Sequence, residues 1–165
     1  RQWKLVLVMY LDELSKYKSK VMQRLCENPK IQDLILSKES LNPKKELMYK
    51  YIFPYAFVPD TVTNSSTFIC FEIEVKRVEN RSFKDLSIMF WIFSHQSILR
   101  TSEGVITDIL SNEVDKIMNG NKDLGLGTTE LKTVGRVNPA KDYFGRTLVY
   151  RSVDFNRVIW LASKI

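Results

Sequence analysis

Across residues 68–94 apolar and polar side chains first alternate and then run together. Phe71, Ile73 and Val75 alternate with Glu72, Glu74 and Lys76. A period of two puts the charges on one face of a strand and the apolar groups on the other. Asn80, within Glu79-Asn80-Arg81-Ser82, supplies turn chemistry. Ile88-Met89-Phe90-Trp91-Ile92-Phe93 follows, an unbroken apolar run that suits a strand covered on both faces. The stretch predicts an antiparallel hairpin whose second strand is central in a sheet.

The remaining pattern predicts elements that cover or extend that sheet. Residues 3–28 read as a helix, with Leu7, Leu11, Leu14, Val21 and Leu25 at helical spacing and Lys16, Lys18, Lys20 and Arg24 on the wet side. Its opening, Leu5-Val6-Leu7-Val8-Met9, is apolar all round, which leaves open a strand or an arm packed on another subunit. Asn28-Pro29 stops the helix. A short helix over 31–37, a loop over 42–45 and an aromatic-rich strand over 47–58 come next, the strand held to an edge or broken by Pro54. Residues 59–67 form a polar connection.

After the hairpin, Ile106, Ile109, Leu110, Val114 and Ile117 make the apolar stripe of a helix over 102–119, with Asp108, Asn112, Glu113, Asp115 and Lys116 on its wet side. Thr101 or Ser102 is placed to cap its start, and Asn119-Gly120 ends it. Strands over 128–137 and 146–155 flank a long turn over 138–145. The tail from Asn156 carries Val158-Ile159-Trp160-Leu161, too apolar to float free, and is expected to dock on the chain itself or on a partner. Strands segregate from helices, so the class is α+β: a mostly antiparallel sheet of about five strands with two main helices on one face. We read a single domain over 1–165, divided into a leading helix (1–28), a connecting segment (29–46), an α+β core (47–155) and a C-terminal arm (156–165).

Composition narrows this little. A hydrophobic fraction of 44% with 12% aromatics is enough for an ordinary core. A net charge of +6 permits a polyanionic partner, but the 25 basic residues are spread over the whole chain rather than gathered on one element. The longest apolar runs are strand-sized, shorter than a membrane span. A signal-peptide pattern is not visible, and a first residue other than Met allows for a missing short leader. Cys26 and Cys70 read as buried thiols, and the single His95 gives no cluster for metal or triad chemistry.

Candidate chemistry is sparse. Pro59-Asp60 followed by Glu74-Val75-Lys76 matches the skeleton of the PD…(D/E)xK metal-dependent nucleases, in which carboxylates hold a hard cation and the lysine steadies the attacking water. Charge alternation on a solvent-facing strand also produces Glu-x-Lys without a site. Gly125-Leu126-Gly127 follows a helix and precedes a strand, the reverse of a phosphate cradle. Tyr143-Phe144-Gly145-Arg146 and Tyr150-Arg151 mix bases with aromatics. This mixture suits stacking on single-stranded nucleic acid, an outward strand face or a subunit contact.

The C-terminal half supports a more specific reading. Arg100-Thr101-Ser102 leads into Ile106-Thr107-Asp108-Ile109-Leu110 and a helix closing at Asn119-Gly120. Asp142-Tyr143-Phe144-Gly145-Arg146-Thr147-Leu148-Val149-Tyr150 and Asp154-Phe155-Asn156 follow. This layout resembles the neck and tail-completion proteins of tailed bacteriophages, most of all the tail-terminator group. Residues 29–45 and the apolar end at Trp160 have no counterpart in that pattern. The resemblance implies a non-enzymatic virion protein without cofactor or metal, made in the bacterial host cytoplasm and resident in the tail or neck. It implies a homo-oligomeric ring, commonly a hexamer, that caps the tail tube and meets other neck, connector and tail-tube proteins. DNA passes through the channel of such a ring, and no membrane is involved. Closure of a ring needs two different patches per subunit. The residues placed to supply them are Glu79 and Arg81 at the hairpin tip, Arg136, Lys141, Tyr143, Phe144 and Arg146 around the long turn, and Trp160 in the tail.

Overall fold

The hairpin forms where the alternation places it. In the computed structural model, which describes residues 3–9, 12–36, 40–58, 65–79, 83–123, 127–155 and 158–164, strands β3 (Thr67–Glu79) and β4 (Phe83–His95) pair antiparallel from Thr67↔Ser94 to Glu79↔Phe83. The tip residues Asn80, Arg81 and Ser82 lie outside the described residues. A bulge interrupts the register between Val75 and Arg77. β4 then pairs over its whole length with β8 (Tyr143–Phe155), and β8 pairs with β7 (Glu130–Val137). Two residues, β2 (Ile52–Phe53), add a short parallel strand beside β3. The sheet order is β2-β3-β4-β8-β7, so the apolar run is central, and the α+β class with a mostly antiparallel five-stranded sheet is what the chain adopts.

One face of this sheet carries the helices. α1 (Asp12–Glu27) buries Tyr17, Val21, Met22, Leu25 and Cys26, and α4 (Ile106–Met118) buries Ile106, Leu110, Val114 and Met118. They pack on Ile69, Phe71, Ile73, Leu86, Ile88, Phe90, Ile92, Leu148 and Tyr150, the residues that strand alternation directs to that side. The buried Tyr150 hydroxyl donates to Asp115 Oδ1 at 2.8 Å. Among the described residues the opposite face carries an apolar cover near the start of β3 and β8. There Phe53, Phe68, Cys70, Phe93 and Tyr143 form a second cluster, with Phe57 stacked on Phe53 at 4.3 Å.

Several local expectations are corrected. The predicted helix over 3–28 is a strand, β1 (Trp3–Met9), followed by α1. β1 pairs antiparallel with β9 (Val158–Lys164), so the apolar tail pairs with the chain's own first strand. The predicted loop at 42–45 is the start of a helix, α3 (Pro43–Leu47), and the predicted strand over 47–58 reduces to β2. Asn42 Oδ1 accepts the Lys45 N–H, and Pro43 occupies the first turn, where its missing N–H costs nothing. Asn28-Pro29 opens α2 (Pro29–Ile35) in the same way, with the Ile31 N–H bonded to Asn28 Oδ1.

Thr101 does not cap α4. Its hydroxyl donates to Gly104 O and accepts from the Glu103 N–H, closing a small hairpin of β5 (Arg100–Thr101) and β6 (Gly104–Val105). Val105 occupies the cap position without a side-chain bond. Glu113, assigned to the wet side, is buried, and its carboxylate pairs with Lys116. Gly120, at φ +73°, ends α4 as predicted. The long turn is shorter than expected, because β8 begins at Tyr143. Gly145 is required inside that strand: a Cβ there would stand 1.8 Å from Ile92 O. Among the described residues no helix is long and apolar enough to cross a membrane.

Candidate functional site

Tyr143, Phe144 and Arg146 are close in sequence but divide between the two faces of β8. Tyr143 points away from the helices into the aromatic cluster, edge-on to Phe93 and His95. It is 5% exposed, and burial raises its hydroxyl pKa. It is therefore a core residue and not a contact residue. Phe144 and Arg146 lie on the helix side, where the start of α4 leaves them room. Arg146 Nε donates to Asp108 Oδ1 at 2.7 Å, and this carboxylate holds the guanidinium proton more tightly than usual. Arg136 on β7 stands directly across from Arg146.

These residues line an open groove together with Leu99, Val105 and Asp108. Val105 and Phe144 in its lining are 43% and 41% exposed, and Val134, two residues before Arg136 on the same face of β7, is 54% exposed, so solvated apolar surface gathers on this side of the sheet. Lys141 is exposed in the adjoining turn. The other predicted contact residues lie elsewhere. Glu79 ends β3 at the opposite end of the sheet, about 40 Å away by the rise of a strand as long as β8. Arg81 is outside the described residues. Trp160 stands in β9 opposite Leu7, with its side chain outside the described residues. Sequence reasoning missed Val105, Val134 and Asp108. Their signal was slight: two valines in short strands, and an aspartate in the first turn of a helix.

The nuclease skeleton does not assemble among the described residues. Glu74 forms an ion pair with Lys76 on the same strand, and Glu72 with Lys18 of α1. Asp60 lies outside the described residues. Among the described residues no three His, Cys, Asp or Glu side chains come close enough to share a metal. His95 is a structural cap. Its Nδ1 accepts the Ser97 N–H at 3.2 Å and lies 3.1 Å and 2.8 Å from the hydroxyls of Ser65 and Ser97.

A wide concavity lies between α1 and α4 and is lined by Lys20, Arg24, Glu27, Lys116 and Asp123. Its charges neutralise one another: Arg24 bonds Asp123 at 2.8 Å, Lys116 bonds Glu113 at 2.7 Å, and Glu27 is held by Lys44. Lys44 keeps the Glu27 carboxyl below its usual pKa. Such a cleft offers an incoming ligand little uncompensated charge. The groove beside Arg136 differs in this respect, with two guanidiniums facing one carboxylate. The model of the YomW family matches residues 15–152 of the chain. No curated protein matches it.

Proposed function

The chain belongs to the YomW family, whose Bacillus prophage-type name associates it with phage, and on that premise we propose that it is a structural protein of the virion. In this reading copies of the chain form a ring at the head–tail junction, complete the tail and join it to the connector. The observation that carries it is the end of the sheet where Val105, Val134 and Phe144 are solvated beside Arg136 and Arg146. Such a patch has the make-up of a protein contact, apolar at its centre with arginine beside it. Glu79 and Phe83, the ends of β3 and β4, lie at the other end of the sheet, so a subunit presents two unlike ends, as a heterologous closed ring requires.

Two measurements test this reading. Mass spectrometry of purified virions is expected to find the protein, and its absence from the particle would sink the proposal. Charge reversal of Arg136 and Lys141 together should weaken assembly while leaving the subunit folded, because neither residue lies in the core. Arg146 is left in place in that variant, since reversing it would set two acids side by side at Asp108.

A further inference from the structure

The five-stranded sheet has two edges, and they are protected unequally. Beyond its short pairing with β2, β3 is an edge strand. Its Ile73 N–H is taken by Glu72 Oε1 at 3.0 Å, Glu74 and Lys76 form an ion pair along it, and the bulge at Val75 bends it. These devices block the addition of another strand. The first half of β7 is blunted in the same manner, by a bulge between Leu131 and Thr133 and by a 2.6 Å pair between Lys132 and Glu130. Residues 134–137 have neither device. They run in unbroken register with β8, from Val134↔Leu148 to Val137↔Gly145, with Gly135 offering no side chain as an obstacle.

The same segment holds an electrostatic imbalance. Arg136 and Arg146 are directly opposed on one face, where like charges repel. Asp108 compensates Arg146, and among the described residues Arg136 forms no ion pair. We propose that residues 134–137 are a docking edge for an extended segment of another protein, one that adds as a strand and sets a carboxylate beside Arg136. Side chains on one face of a strand recur every two residues. The occupant therefore carries Asp or Glu two positions from an apolar residue: the acid beside Arg136, the apolar group over Val134, with Val105 and Phe144 at hand.

The chain's own acidic strand does not fit. In a sheet continued from β7 of one copy to β3 of the next, with the helices on the same side, Arg136 would neighbour the row of Phe71 and Ile73. Glu72 and Glu74 face the other way. Nucleic acid offers phosphates for Arg136 and bases to stack on Phe144, but no backbone that adds to the open strand edge. The inference rests on reading this end of the sheet as a contact surface, but it does not need the ring.

The test uses the full chain and fluorescent octapeptides of sequence Thr-Glu-Thr-Val-Thr-Glu-Thr-Val. Controls are the same peptide with Lys for Glu and an oligo-dT of similar length, all read by anisotropy. The Glu peptide is expected to bind and the Lys peptide is not. Arg136→Ala should weaken binding about tenfold, the loss of one charge-assisted hydrogen bond. Methylating alternate backbone nitrogens of the peptide should abolish binding in one of the two possible frames and spare it in the other. Equal or better binding of the Lys peptide or of oligo-dT, an unchanged Arg136→Ala variant, equal behaviour of the two methylated frames, or no binding of the Glu peptide would each overturn the inference. Peptide binding by a protein missing from virions would leave this inference standing and remove the virion role. A virion protein that ignores the Glu peptide would do the reverse.

Discussion

On the helix side of the sheet, Ile69, Phe71, Phe90, Ile92 and Tyr150 are sealed under α1 and α4. On the other side Phe93 and Cys70 are sealed as well, but by Phe53 of β2 and Phe57 of the loop after it, and Trp91 beside them stays half-buried. Neighbours in one strand thus meet different fates. Phe90 faces helices that bring their own hydrogen bonds and bury a continuous stripe. Trp91 faces a short aromatic cover that reaches only one end of the sheet. The apolar run of β4 suits burial on both faces, yet only one face is fully closed. Its remainder, with Glu72, Glu74, Arg151 and Val153, is a wet strand surface.

Breaking each side in turn should expose the difference. Phe90→Ala is expected to cost roughly 3–5 kcal/mol, the range for truncating a fully buried aromatic, as read from denaturant unfolding. Trp91→Ala should cost less, roughly 1–3 kcal/mol, because part of its surface stays in water. Equal losses for the two would show that the faces are closed alike. Gly145→Ala addresses the seam between β4 and β8 that both faces share. The added methyl collides with Ile92 backbone and is expected to cost roughly 1–3 kcal/mol, with hydrogen exchange accelerated in β7 and β8 before α1.

The two cysteines report on one face each. Cys26 lies in the helix-side core and Cys70 under the aromatic cover, where its thiol reaches Phe57 O. Burial raises both from the usual 9.0 to about 11. A raised thiol pKa means that the unfolded chain loses its proton first. Stability from these groups is whole below pH 9 and declines as pH rises toward 11. The slope is at most about 1.4 kcal/mol per pH unit for each thiol. Replacing both by Ala should flatten that limb of the pH profile. Thiol labelling under native conditions is expected to reach Cys70 before Cys26, since the loop cover opens locally at less cost than two packed helices. The reverse order would refute the comparison. The smallest effect belongs to the surface: Asp108→Asn should cost about 0.2–1 kcal/mol, as exposed ion pairs do, while leaving two uncompensated arginines at the groove.

The hairpin, the α4 stripe and the Gly120 stop were legible because a local period or a local φ requirement sets each of them. The connecting region misled for a reason that is also local. Asn28-Pro29 and Asn42-Pro43 both read as breaks, since Pro ends helices. In each case Asn caps and Pro starts the next helix. Aromatic content suggested a strand over 47–58, but only Ile52 and Phe53 extend the sheet, and Phe57 stacks on Phe53 to cover it. At the candidate site, sequence proximity grouped Tyr143 with Arg146, whereas strand alternation sends them to opposite faces. The pairing of Arg136 with Arg146, and the reach of Asp108 to the latter, depend on register and helix placement, which no window of sequence reports.

The neighbours of β4 arrive at very different times during synthesis. β3 precedes it by a few residues, while its β8 partners lie roughly 50 to 70 residues further along the chain. A nascent chain that has emerged only as far as α4 therefore holds a finished hairpin with one bare, strongly apolar flank. Until β8 arrives, that flank can pair with the same flank of another nascent chain. Slow translation through residues 119–142 would prolong this exposure, so the yield of soluble protein should respond to elongation rate there more than to the stability of the finished fold.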